Sequence, residues 1–228
     1  MTISYVDLEA AAPAEAVVVV DVLRAFTWVP WAYHQGAARV LAVADREHAT
    51  ALRATVLPDA LLAGEQGGIP VPGFDLGNSP SEIARTDLAS RTIVHRTSAG
   101  TQGLARTVGS RIVLAASFVT AHATVEALRN AEVTDVTFVI TGASLGRNGD
   151  EDLAAAELIA ARFLGQDPDP APYLARVAPS DAGLLFRDEG PDWAPPEDLQ
   201  MACTLDRFDR ALTAAPAADV DAVEVRLI

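Results

Sequence analysis

Lysine is absent from this chain of 228 residues: all 17 of its basic side chains are arginines. That absence excludes a Schiff-base mechanism, a pyridoxal phosphate enzyme and a lysine-bearing phosphate loop. Any phosphate must instead be held by arginine, hydroxyls, backbone N–H groups or a metal. Cysteine is nearly absent too. The one thiol, Cys203, has no partner for an internal disulfide, and its Met-Ala-Cys-Thr setting marks no nucleophile. No apolar run reaches the roughly eighteen residues that a membrane helix needs. The first residues, Met-Thr-Ile-Ser-Tyr, carry no basic region, so no signal peptide is expected. A reduced cytoplasm is the expected location, with no membrane partner.

Positive charge is also scarce. Seventeen basic residues face 31 acids, for a net charge of −14. A nucleic-acid partner is therefore not expected, because a phosphate backbone needs a basic surface. An anionic substrate is possible only where arginines or a metal reverse the field locally.

What the chain does contain is apolar material, 50% of its residues. That is enough for one large core, and residues 1–228 are read as a single domain. Val17–Asp21 is a β-branched run ending in an acid, the pattern of a strand buried on both faces. Similar runs occur at Arg39–Val43, Thr92–Val94, Arg111–Ala115, Val136–Thr141 and Ala222–Ile228. Helical patterns fall between them at Phe26–Gln35, Arg46–Val56, Ser81–Ala89, Ala121–Asn130 and Leu153–Leu164. Strand alternating with helix predicts an α/β fold, a three-layer α/β/α arrangement with a largely parallel central sheet. Both halves repeat the order strand, polar turn, helix, which leaves an internal duplication open. The stretch Leu164–Pro196, rich in Pro, Asp and Gly, reads as loop around a short helix at Pro179–Phe186.

In parallel sheets ligands gather beyond the carboxyl ends of the strands, so the turns there hold the candidates. Asp21 and Arg24 follow the first buried strand. Asp21 suits a metal or an attack on phosphorus, and Arg24 suits a pair of phosphate oxygens; a local ion pair is the plain alternative. Glu65 sits among Gly64, Gly67 and Gly68, where a carboxylate suits Mg²⁺ and an exposed turn is the simpler account. In Gly73–Glu82, Ser79 reads as a helix N-cap with Pro80 at the first position and Glu82 completing a capping box. Asp75 and Asn78 are not needed for that cap, and Asp75 is a candidate acid, base or metal ligand. His95 through Thr101 places hydroxyls and Gly100 between strand and helix, a cradle for an oxyanion. Ser117 is either a phosphate donor or an N-cap. Asp150, Glu151 and Asp152 open a helix, where the macrodipole favours acids and their repulsion welcomes a cation. The histidines show no pair at metal-ligand spacing, against a zinc site.

Taken in order, these turns resemble the ComB-type 2-phosphosulfolactate phosphatases. The resemblance rests on Asp21-Val22-Leu23-Arg24-Ala25, Gly64-Glu65, Gly73-Phe74-Asp75-Leu76-Gly77-Asn78-Ser79-Pro80, Thr97 through Thr101, Ala116-Ser117-Phe118 and Glu151-Asp152. It spans Val17 to Leu164, and the Gly-Phe-Asp-x-Gly-Asn-Ser-Pro stretch is its most specific part. Two departures stand out. The family's threonine run after Asp-Val-Leu-Arg-Ala is here Phe26, Thr27 and Trp28, and its Thr-Thr-Asn-Gly-Thr is here Thr97-Ser98-Ala99-Gly100-Thr101.

The resemblance implies Mg²⁺-dependent release of phosphate from a small phosphorylated sulfonate. The expected substrate is thus a small phosphorylated anion. On this reading Asp21, Arg24 and Asp75 are catalytic. Asn78, Ser79, Thr97, Ser98, Gly100, Thr101 and Ser117 line the substrate site. Glu65, Glu151 and Asp152 hold Mg²⁺, with Asp21 a further candidate. A catalytically silent anion-binding protein on the same fold is the alternative. A homodimer is compatible with the sequence and not required by it.

Overall fold

The computed structural model describes residues 1–144 and 146–228. Ten strands form one sheet: β1 (Thr2–Asp7), β2 (Ala16–Val20), β3 (Arg39–Ala42), β4 (Leu61–Gln66), β5 (Ile69–Pro70), β6 (Thr92–Arg96), β7 (Ile112–Ala116), β8 (Asp135–Ile140), β9 (Leu212–Pro216) and β10 (Val223–Leu227). Their spatial order is β1-β8-β2-β7-β9-β10-β3-β6-β4-β5. The helices are α1 (Ala25–His34), α2 (Arg46–Thr55), α3 (Pro80–Ile83), α4 (Gly100–Thr107), α5 (Ala121–Asn130), α6 (Asp150–Phe163), α7 (Ala171–Leu174) and α8 (Pro196–Ala202). The expected α/β fold is what the chain adopts. Among the described residues no helix is long and apolar enough to cross a membrane.

The sheet consists of two parallel blocks. Strands β1, β8, β2 and β7 form one, and β3, β6 and β4 the other. The hairpin β9–β10 joins them through antiparallel pairings with β7 and β3.

Alternation along β2 explains the layering. Val17 and Val19 point into a core with Ala25, Trp28 and Leu104 of α1 and α4. Ala16, Val18 and Val20 point the other way, onto Val125 and Leu128 of α5 and Leu158 and Ile159 of α6. The second block divides similarly. Val40 and Ile93 join the first core, whereas Leu41, Leu62 and Val94 pack on Ala49 and Leu52 of α2. Every β2 residue is buried, which is why its sequence is a continuous apolar run.

One close approach brings the blocks together at the site. α4 follows β6 of the second block yet lies against β2 of the first. It does so at Gly103, where an added Cβ would stand 2.5 Å from a Val19 methyl and 3.3 Å from one of Thr141. Several elements differ from the sequence expectation, three of them in their bounds or type. α6 begins at Asp150 and not at Leu153, so all three acids lie in its first turn. α3 ends at Ile83, and the Pro179–Phe186 segment contains only a single 3₁₀ turn at Gly183–Leu185.

Candidate active site

The turn after β2 sets the floor of a narrow cleft. Asp21 is buried, and its Oδ1 accepts the Ala25 N–H at 2.9 Å, which starts α1. Its Oδ2 lies beside Gly100, so close that a Cβ there would be 2.7 Å away. Among the described residues Oδ2 accepts no hydrogen bond. Burial pushes the Asp21 carboxyl up to about 6; the Ala25 N–H opposes this, and Glu65 adds to it.

The turn after β8 and the first turn of α6 bring two more carboxylates. Asp152 Oδ1 accepts the Val22 N–H at 2.7 Å, and Oδ2 accepts the Gly142 N–H at 2.7 Å and the Thr141 hydroxyl at 3.2 Å. It thereby ties the ends of β2 and β8 together. Burial, then the charges of Glu151 and Asp21, raise its carboxyl well above the usual range. Glu151 is raised too, chiefly by burial, and its buried Oε2 has no partner among the described residues. Gly142 makes room for both acids: a Cβ there would meet Glu151 Oε1 at 2.8 Å and Asp152 Oδ2 at 3.0 Å.

Glu65 closes the opposite side from β4. Its Oε1 accepts the Ser98 N–H at 2.5 Å and its Oε2 the Gly68 N–H at 2.5 Å. The carboxylate thus knits two loops. The cleft is lined by Asp21, Arg24, Glu65, Asn78, Ser98, Ala99 and Arg147, with Leu185, Phe186 and Trp193 as an apolar wall. Its volume is about 40 Å³, room for little more than a water molecule. A roomier cavity of about 540 Å³ adjoins it across Asn78 and Trp193. The acids of that cavity, Glu82, Asp192 and Glu197, face solvent, whereas Asp21 and Glu65 of the smaller cleft are buried.

The structure brings Asp21, Arg24, Glu65, Asn78 and Ser98 into the cleft lining and sets Glu151 and Asp152 in charge range of Asp21. Gly100 is the floor on which Asp21 rests. Other candidates lie elsewhere. Asp75 is partly exposed, pairs with Arg53 at 2.7 Å and accepts the Leu62 N–H at 2.8 Å. It organises a loop outside the cleft, and an acid–base role there has no geometric support. Ser117 is fully buried and donates to the Phe26 carbonyl at 3.0 Å, facing inward and making no cap bond. Thr97 and Thr101 bond each other reciprocally and hold the turn that presents Ser98. Ser79 caps α3 as expected, accepting the Glu82 N–H at 3.3 Å, and also donates to Asp198 at 2.8 Å.

Of the three expected metal ligands, Glu65 and Asp152 have both oxygens engaged by backbone N–H groups, and only Glu151 keeps one unpartnered. No group of three His, Cys, Asp or Glu side chains stands ready for a metal among the described residues. Asp21 Oδ2 and Glu151 Oε2 do fit a hard divalent cation, which needs one or two carboxylates and takes its remaining ligands from water and a phosphate.

The sequence reading missed Arg147, Trp193 and Asp198. Arg147, in the loop after β8, lines the cleft and lowers the Asp21 and Glu151 carboxyls against their burial. Among the described residues it makes no salt bridge. Trp193 and Asp198 both contact Arg24.

An α/β fold with buried carboxylates and two arginines gathered at one cleft suits a small anionic ligand, and comparison with known proteins makes the class phosphatase. The chain belongs to the 2-phosphosulpholactate phosphatase family, whose model matches residues 3–185. It is 38% identical to a protein named probable 2-phosphosulfolactate phosphatase from Deinococcus radiodurans, over 82% of this chain and 75% of that one. Proteins of the same name from Parasynechococcus marenigrum and Bacillus subtilis are 36% and 32% identical. These matches cover 82% and 65% of this chain, and 78% and 64% of theirs.

Proposed function

We propose that this chain hydrolyses the phosphate monoester of a small hydroxy acid, 2-phosphosulfolactate or a close analogue, with Mg²⁺ as its cofactor. One observation carries the reading: a buried carboxylate, Asp21, with one oxygen that accepts no hydrogen bond among the described residues, at the floor of a cleft that two arginines line. The relatives' shared name gives the substrate.

Asp21 Oδ2 and Glu151 Oε2 would hold the cation, which supplies charge neutralisation for the phosphoryl oxygens. Arg147 and the remaining donors of Arg24 bind the phosphate. The Asn78 amide completes the donor set around the ester, and Ser98, whose hydroxyl donates to Glu65 Oε2 at 3.3 Å, holds Glu65 in the cleft wall. Phe186 and Trp193 give the cleft an apolar wall, beside which each of these charge interactions is stronger than in open solvent. Ser79, Thr97, Thr101 and Ser117 support the walls from behind.

The test is phosphate release from a panel of phosphorylated hydroxy acids, with and without Mg²⁺, against an Asp21→Ala control. Release that needs Mg²⁺ and is lost in the control is the expected result. Thermal unfolding adds a readout independent of turnover: Mg²⁺ should raise the midpoint of the wild type and not that of Glu151→Gln. Tight phosphate binding without any release would favour a silent anion-binding protein.

A further inference from the structure

We propose that Asp198 is a positioning residue of this site and acts through Arg24. The proposal rests on the phosphatase reading and adds a part of the chain that the family match does not reach, since that match ends at residue 185.

Arg24 is buried in the wall of the cleft. Its guanidinium has five N–H donors in a fixed plane. Nη1 donates to the Trp193 carbonyl at 2.6 Å and to Asp198 Oδ2 at 2.9 Å, and Nη2 donates to the Gly68 carbonyl at 3.2 Å. The Phe186 and Trp193 rings lie 5.2 and 5.8 Å from its central carbon. Three donors are thus held by protein, which leaves the Nε–H and one Nη2–H for the cleft. A planar fork fixed at one end presents its other donors in one direction only.

Asp198 does the fixing. It lies in the first turn of α8 and is fully buried. While Oδ2 takes Arg24, Oδ1 accepts the Ser79 hydroxyl at 2.8 Å and the Ser81 N–H at 2.9 Å. Ser79 follows Asn78, which lines the cleft together with Arg24 and Trp193. One carboxylate therefore fixes the separation between the Arg24 wall and the Asn78 wall. Stability alone does not call for such a group. A buried ion pair is commonly no better than packed apolar residues, and its retention at a cleft wall is explained by what it orients.

A double-mutant cycle tests this. Asp198→Asn, Arg24→Gln and the double variant are compared with the wild type in kcat/KM for phosphate release. The same four proteins are compared in affinity for inorganic phosphate by calorimetry. Thermal unfolding checks that each is folded. Asp198→Asn should lower kcat/KM by about 10- to 100-fold beside an intact Arg24, and by less than about twofold in the Arg24→Gln background. Equal losses in both backgrounds would overturn the proposal and leave Asp198 a structural residue. If Asp198→Asn does not fold, Ser79→Ala takes its place in the cycle. That variant keeps both charges and removes one bond that fixes Asp198, and the same non-additivity is expected. A wild type that releases no phosphate defeats the phosphatase reading, and the phosphate-affinity cycle still decides the role of Asp198.

Discussion

Nε2 of His95 lies 3.0 Å from Oδ1 of Asn78, and the imidazole stacks on Trp28 with ring centroids 4.5 Å apart. Burial pushes His95 down to about 3, so the ring is neutral across the physiological range and donates its Nε2–H to Asn78. With Oδ1 engaged, the Asn78 side chain is held in the lining of the cleft. His95 is thus tied to the site through an amide and does not itself titrate there.

The first prediction follows from that neutral ring. An unfolded histidine takes up its proton near pH 6.5, whereas folded His95 stays neutral to about 3. Between those values the unfolded state binds the extra proton, so stability falls as pH falls, by about 1.4 kcal/mol per unit. Denaturant unfolding at pH 7 and pH 5 should show the wild type losing about 2 kcal/mol more than His95→Gln. Parallel losses in the two proteins would mean that His95 is charged in the fold.

Asp21 gives the opposite sign. Its folded value of about 6 lies above the ordinary 3.8. Between those values the native state holds the extra proton, so this contribution is full below pH 3.8 and is lost as pH rises through 6. In the presence of a chelator, Asp21→Asn should therefore be more stable than the wild type at pH 7.5, by about 1–3 kcal/mol. The gap should close near pH 4. The same variant should release no phosphate. A metal-free Asp21→Asn less stable than the wild type at pH 7.5 would show that the carboxylate is well compensated as it stands.

Arg147 is expected to contribute binding and not stability. Arg147→Gln should lower kcat/KM by tenfold or more, roughly 1.4 kcal/mol or more of transition-state stabilisation, with an unfolding midpoint near that of the wild type. Steady-state kinetics together with a thermal scan decides it. A midpoint lowered by several degrees with normal kcat/KM would make Arg147 a structural neighbour of the acids.

What the sequence revealed and what it hid divide along physical lines. Val17–Val20 was legible because burial on both faces demands an unbroken apolar run, and Asp21 because it interrupts that run. The Ser79 cap was legible because capping is local. The span of α4 does not show as a helical pattern, since it begins Gly-Thr-Gln-Gly and glycine disfavours helix. Tertiary contact decides there, with Gly103 admitting β2. β4 passed unread because Leu61-Leu62-Ala63 suits a helix as well as a strand. The partners of Arg24 and Asp75 were hidden by distance along the chain. Arg24 reaches Asp198, and Asp75 is claimed by Arg53 from α2. Arg24 was read as a phosphate fork, and the structure turns half of that fork toward Asp198 and the Trp193 carbonyl.

The last prediction concerns Gly100, where the constraint is space. It is the first residue of α4. A Cβ there would stand 2.7 Å from Asp21 Oδ2, 2.9 Å from Ala25 Cβ and 3.1 Å from the Phe26 ring. Neither Asp21 nor Ala25 can retreat, because Asp21 Oδ1 is bonded to the Ala25 N–H and both are packed under α4. Gly100→Ala should therefore destabilise by about 1–3 kcal/mol, the usual cost of overpacking. It should also displace the oxygen that the phosphoryl site uses, so kcat/KM of the folded protein should fall at least tenfold, roughly 1.4 kcal/mol. Gly109→Ala is the control. Its Cβ would meet only Pro13, at 3.3 Å, away from the cleft, so a small change in midpoint and unchanged kinetics are expected. Should Gly100→Ala lose stability yet keep wild-type kcat/KM, Asp21 Oδ2 does not hold the cation from the position that Gly100 leaves open for it.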